Sequence, residues 1–151
     1  MGVRREGEEV PSANMTPHNV TLFNWAGEDD NGNAVYQKTT LTKVYTRMKQ
    51  GVAFGNGNSG TAPNEQDELI VYVFDESSKT GSKTYIHHTK WNAESDKTPF
   101  WTVRDDGKDL LVIGICDQET PPTNEQTFKA TRATRREAGN KRMWHWEVHC
   151  T

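Results

Sequence analysis

The chain has 151 residues, of which 32% are hydrophobic and 26% are charged, and its formal charge is −3. This length predicts one domain, residues 18–151, because chains of about 100–200 residues seldom split. The acidic balance excludes nucleic-acid binding through overall charge. The low apolar content excludes thick helical layers and favours two-faced strands in a small barrel or sandwich.

The start of the chain and its cysteines indicate a compartment. Residues 1–17 are polar and charged, without the apolar centre of a secretory signal, and are predicted to be an N-terminal arm. Cys116 and Cys150 lack metal-site spacing and are expected to be free thiols in a reducing cytosol. No apolar run approaches the about 20 residues that a membrane span needs, so no membrane partner is expected.

The first predicted element is a hairpin. Residues 18–25 (HNVTLFNW) alternate as a strand does, and the Asn31-Gly32 pair that follows is a strong turn signal. Residues 34–48, rich in Thr, Tyr and Val, favour a long or bulged partner strand over a helix.

An irregular segment, residues 51–66, separates this hairpin from the next strand. It contains four glycines and has no period that would bury a face. Its letters match G-x-G-x-x-G at residues 55–60, but no helix period follows, so a nucleotide site is not expected.

The middle of the chain is predicted to contain short strands. Residues 68–74 (ELIVYVF) form a continuous apolar strand that is typical of burial on both faces. Residues 83–88 predict a short strand, and residues 90–93 a single helical turn. Residues 99–104 and 109–116, joined by Asp105-Asp106-Gly107, are predicted to pair as a hairpin.

The end of the chain is the best hairpin in the sequence. Two alternating segments, residues 127–135 and 141–149, flank a turn at Ala138-Gly139-Asn140. Period-two alternation places Trp144, Trp146 and Val148 on one face, which is predicted to be core. Altogether seven or eight strands are expected, and the predicted fold is an all-β, small antiparallel β-barrel with long loops.

Charge is unevenly distributed along the chain. Residues 65–76 carry five acids and no base, whereas the last hairpin is rich in Lys and Arg. Opposite patches suit self-association in a ring, and two solvated faces are the alternative. Beside aromatic side chains, the bases also suit nucleic acid. The residues predicted to contact a neighbouring subunit or DNA are Arg132, Arg135, Arg136, Lys141 and Arg142.

Signals for catalysis are weak. His145 and His149 lie about 13 Å apart on an ideal strand, too far to share a metal. The chain has no nucleophile elbow, and Asp29-Asp30 and Asp105-Asp106 fall in predicted turns. We therefore expect no enzyme, no metal and no cofactor.

Both ends of the chain resemble a known family. Thr131, Thr134, Arg135 and residues 143–148 (MWHWEV) resemble the closing hairpin of minor capsid proteins from the head-to-tail region of Gram-positive tailed phages and prophages. Residues 18–25 and 36–41 (YQKTTL) are similar to that family's first strand and its partner. Between these ends the likeness is only in the order of elements.

The resemblance implies a structural virion protein, made in the bacterial host cytoplasm, that forms a ring of about six or twelve copies at the head-tail junction. As a connector or stopper it would contact portal or adaptor proteins, tail proteins and packaged DNA. The implied lumen or interface loop contains Gly51, Phe54, Gly55, Gly57, Gly60 and Pro63. Two alternatives stay open: a tail terminator or other minor capsid protein, and an OB-like single-stranded nucleic-acid-binding module.

Overall fold

The computed structural model describes residues 18–49, 68–123 and 127–151. Its strands are β1 (His18–Glu28), β2 (Ala34–Lys49), β3 (Glu68–Phe74), β4 (Thr84–Tyr85), β5 (Phe100–Trp101), β6 (Asp109–Ile113), β7 (Thr127–Arg136) and β8 (His145–Cys150). One short helix, α1 (His88–Ala93), follows β4. The predicted arm and the predicted lumen loop lie outside the described residues.

Six of these strands form one antiparallel sheet that closes on itself. The order is β1-β2-β3-β8-β7-β6, and β6 pairs back to β1 between residues 110–113 and 20–23. The all-β class predicted from the sequence is confirmed. The closed sheet has six strands rather than seven or eight, because β4 and β5 pair separately and in parallel.

The inward side chains of the closed sheet make a small core. Val20, Leu22, Leu41 and Val44 from the first hairpin meet Val71, Val148 and Cys150, and all of these are fully buried. The predicted pairing of β1 with β2 is confirmed, as is the buried character of β3. No helix in the described residues is long and apolar enough to cross a membrane.

The predicted hairpin of residues 99–104 with residues 109–116 is wrong. β5 pairs with β4, while β6 pairs with β1 and β7. Side chains replace the missing ladder: Nδ2 of Asn24 donates to the Thr102 carbonyl at 2.6 Å, and the Arg104 N–H donates to Oδ2 of Asp109 at 2.7 Å. The segment after β5 therefore caps the barrel, with Trp101 and Val103 buried in the core.

Asp109 holds this cap to β1 as well. Its Oδ1 accepts the Trp25 N–H at 2.7 Å, and the carboxyl group is fully buried. Burial raises the pKa of Asp109 to about 6, although the two backbone N–H donors act in the opposite direction. The folded protein therefore retains this proton over a pH range in which an unfolded aspartate has lost it.

A second local feature is a bulge in β2. Lys43 has a φ of 56°, which is a left-handed backbone conformation that is unfavourable for residues other than glycine. The register of the pairing between β2 and β1 shifts at this residue. Its carbonyl accepts the Ser78 hydroxyl at 2.6 Å, so the loop after β3 holds the bulge in place. The bulge bends β2 and brings Tyr45, rather than Val44, to the outer surface.

We expect Asp109→Asn to change the pH dependence of stability. In the unfolded wild type Asp109 loses its proton near pH 3.8, and in the folded protein it does so near pH 6. The free energy of unfolding therefore falls as pH rises between these values. At about 1.4 kcal/mol per pH unit, the fall is at most about 3 kcal/mol. Urea unfolding at pH 4, 5, 6 and 7 measures the wild-type minus variant difference, and a pH-independent difference would contradict the assignment.

Replacing Lys43 with glycine should stabilise the fold. Lys43→Gly removes the strain of a Cβ in the left-handed region, which is worth about 1 kcal/mol. Lys129→Gly is the matched control in β7, where φ is not positive, and it should lower the free energy of unfolding by about 0.5–1 kcal/mol. Chemical denaturation compares the two, and a loss of stability in both would show that the bulge carries no strain.

Candidate interaction surface

The outward side chains of β2, β3, β8 and β7 form one continuous surface, here called the outer face. The strand register aligns them in rows, such as Tyr45, Tyr72, Glu147 and Thr134 in one row. The next row is Arg47, Ile70, His149 and Arg132. The full set is Tyr45, Arg47, Lys49, Glu68, Ile70, Tyr72, Phe74, Arg132, Thr134, Arg136, His145, Glu147 and His149.

Aromatic rings cross the outer face in a row. Tyr45 stacks on Tyr72 with 5.5 Å between ring centroids, and Tyr72 lies 5.4 Å from the ring of His145. The row extends to His18 on one side and to Phe74 on the other. Tyr45 is 40% exposed whereas Phe74 is buried, so the Tyr45 end of the row offers an apolar surface to a partner.

Charged side chains flank this row and bind one another. Nδ1 of His149 lies 2.9 Å from Oε2 of Glu68, and Nε2 of His145 lies 3.2 Å from Oε2 of Glu147. Burial alone would raise the pKa of Glu147, but His145 and Arg136 beside it lower the pKa below its usual value. Among the described residues, no group of three or more His, Cys, Asp or Glu could hold a metal ion.

A separate cluster surrounds Arg135 at the capped end of the barrel. Its guanidinium donates to both oxygens of Asp75, at 2.7 and 2.5 Å, and to Glu137 at 2.9 Å. The same group stacks on Trp146, 5.2 Å from the ring centroid. The hydrogen bond with Asp75 raises the pKa of Arg135 above its ordinary value. Arg135 is therefore neutralised within its own chain.

This cluster changes the interpretation of the charge pattern. Asp75 and Glu76, from the predicted acidic patch, face Arg135 and Arg142 of the predicted basic patch. They meet because β3 lies next to β8 in the sheet. These pairs form within one chain, so the two patches no longer argue for contacts between subunits.

The structure divides the five predicted contact bases among three places. Arg132 and Arg136 lie on the outer face, and Arg135 lies in the Asp75 cluster. Lys141 and Arg142 lie in a 3-10 turn, Lys141–Met143, which occupies the start of the predicted second strand. Because β8 begins only at His145, Trp144 lies outside the strand.

The three predicted core residues of this hairpin differ in burial. Val148 is fully buried, and Trp146 packs against the core beside Tyr85. Trp144 is half-buried and stacks on Arg135 and Lys141. Sequence analysis did not identify Tyr45, Arg47 and Tyr72 as surface residues. The alternation of residues 44–49 (VYTRMK) was the signal that could have identified those on β2. The bulge at Lys43 determines which residues of this alternation face outward.

An open cavity of about 800 Å³ lies beside the other half of the sheet, between the segment after β6 and the edges of β2, β6 and β7. Tyr36, Leu110, Pro121 and Phe128 line it, and Lys129 is the one charged side chain among the described residues that line it. Residues 124–126, next along the chain, lie outside the described residues. This apolar lining offers no constellation for chemistry.

Comparison with known proteins places the chain in a family. A family profile matches residues 15–151, which is most of the chain. The chain belongs to the Family of unknown function (DUF6751). No curated protein and no solved structure matches it. The family description names no activity, so the resemblance to minor capsid proteins stays a prediction and function must be argued from the surface.

Removing the Arg135 side chain should destabilise the fold. Arg135→Ala leaves Asp75 and Glu137 without their shared cation, and we expect a loss of about 1–2 kcal/mol after allowing for partial exposure. Arg142→Ala is the matched control: its pair with Glu76 is longer, at 3.9 Å, and half exposed, so the loss should stay under about 0.5 kcal/mol. Equal losses in urea unfolding would refute the special position of Arg135.

Proposed function

We propose that this protein is a structural component of a tailed-phage or prophage virion and forms a ring at the head-tail junction. The ring continues the DNA channel and docks the tail as a connector or stopper, without catalysis. Portal or adaptor proteins and tail proteins are its neighbours, with packaged DNA in the channel. The finer architecture proposed is a small barrel with long loops.

The observation that carries this proposal is the outer face. Aromatic and Arg side chains are the types that interface cores favour, and here Tyr45, Tyr72, Arg47 and Arg132 lie together. Contacts on the same face, between His145 and Glu147 and between His149 and Glu68, hold these side chains in place before binding, which lowers the entropic cost of association. A face of this kind supports binding to a protein surface.

The resemblance adds a second line of support. Its matching residues belong to β1, β2, β7 and β8 and the turn before β8, so they build four of the six strands of the closed sheet. A tail terminator or another minor capsid protein is the closest alternative. Such proteins would use the same barrel and the same face in another position of the virion.

A second candidate function is single-stranded nucleic-acid binding. The row of rings next to Arg47, Arg132 and Arg136 combines stacking surface with phosphate-binding charge. This differs from the site expected at the last hairpin, because Trp146 packs against the core and Arg135 is neutralised.

The proposal predicts a symmetric oligomer. Light scattering and electron microscopy of the purified protein, at low and moderate salt, should show rings of about six or twelve copies. Tyr45→Asp should break the ring, because it puts a negative charge on the most exposed ring of the aromatic row. Ile115→Asp is the matched control, since Ile115 is 60% exposed but lies outside this face.

A protein that stays monomeric at millimolar concentration at both salts would contradict the ring. If that monomer bound a labelled single-stranded oligonucleotide with steeply salt-dependent affinity, the nucleic-acid alternative would replace it.

A further inference from the structure

The hairpin between β1 and β2 ends in an acidic tip, residues 28–35. Glu28, Asp29 and Asp30 are exposed there, and the segment contains no base. The Asp29 carboxylate accepts the N–H groups of Asn31 and Asn33, both at 2.9 Å, so the turn has a defined shape. Val35 adds an apolar side chain that is 40% exposed. The tip is therefore a small, ordered, negatively charged projection.

Several other acids of the described surface are paired with bases of the same chain. Asp75 and Glu76 face Arg135 and Arg142, as described above. Asp106 binds Arg104 at 3.0 Å, and Glu119 lies 3.5 Å from Lys38. At the base of the hairpin, Arg104 and Lys108 stack on Trp25, but Asp105 and Asp106 balance their charge. Among the described residues, no ion pair joins Glu28, Asp29 or Asp30 to a base, so within this part of the chain the tip is a concentration of negative charge.

The outer face has the opposite balance. It carries four bases, Arg47, Lys49, Arg132 and Arg136, and only two acids, Glu68 and Glu147, so its formal charge is +2 with neutral histidines. Arg47 and Lys49 are exposed on β2, and Tyr45, two residues before Arg47 on the same side of that strand, offers an apolar contact. Residues 114–123, which are described, pack against β1 and β2 and not against the outer face. Hydrogen bonds that involve the Cys116 N–H and the Lys38 side chain join this segment to those two strands.

We propose that the acidic tip of one copy docks on the outer face of a second copy of this chain. Charge and apolar character match on the two surfaces: Glu28 and Asp30 meet Arg47 and Lys49, which are likewise two residues apart, and Val35 meets Tyr45. Tip and face are different surfaces, so the contact is heterologous and repeats from copy to copy until a ring closes. This inference rests on the proposed ring and names the surfaces that build it.

Reversal of charge tests the contact. One variant carries Glu28→Lys and Asp30→Lys, which keep Asp29 and its turn, and a second carries Arg47→Glu and Lys49→Glu. Each variant alone presents like charges at every contact, and its self-assembly should be at least about tenfold weaker in light scattering. An equimolar mixture restores opposite charges at both kinds of contact, so it should assemble again, with the two variants alternating.

The controls are Glu94→Lys and Lys90→Glu, exposed positions at α1 that belong to neither surface. They should assemble as the wild type does, and thermal unfolding checks that every variant is folded. If the wild type forms a ring and both charge-reversal variants form it too, the tip contact is wrong, but the proposed ring function is not contradicted. The same holds for folded variants whose mixture fails to assemble. A monomeric wild type overturns both.

Discussion

The pairing of β6 with β1 is the constraint on which the rest of the molecule depends. It joins residues about ninety positions apart and gives each of the six strands two neighbours, so the sheet has no unpaired edge. Closure also divides every strand into an inner and an outer side. The inner side is filled by a few branched and aromatic side chains, and a core this small leaves the barrel ends to be sealed by other means.

One end is sealed by buried polar groups as much as by apolar ones. Asn24 and Asp109 bind backbone N–H and carbonyl groups of the segment from Thr102 to Arg104, which lets an irregular chain lie over the core without leaving its backbone unpaired. Trp91 is fully buried and donates its ring N–H to the Trp25 carbonyl, so α1 is held to β1 in the same way. As a consequence, protonation of the buried Asp109 carboxyl group is linked to folding.

Closure also decides which charges meet. β3 and β8 are neighbours, so the acids after β3 lie beside the bases of the last hairpin and are neutralised there. What remains is a basic, aromatic face on four strands and an acidic hairpin tip. Several charges of the described surface are neutralised by pairs of this kind, and the acidic tip and the outer face are two distinct surfaces available for recognition.

Local sequence signals determined most of the strands and the first and last hairpins, because alternation and turns that combine Gly and Asn act between residues close in the chain. They determined the all-β class and the burial of residues 68–74 for the same reason. Only the tertiary structure decided the partners of β6, the separate pairing of β4 with β5, and the late start of β8 at His145. Those choices depend on side chains such as Asn24, Asp109 and Arg135, whose partners lie about 60–85 residues away. The outer face likewise exists only after closure, because the bulge at Lys43 sets which side of β2 points outward and long-range pairing aligns Tyr45 with Tyr72 and Glu147.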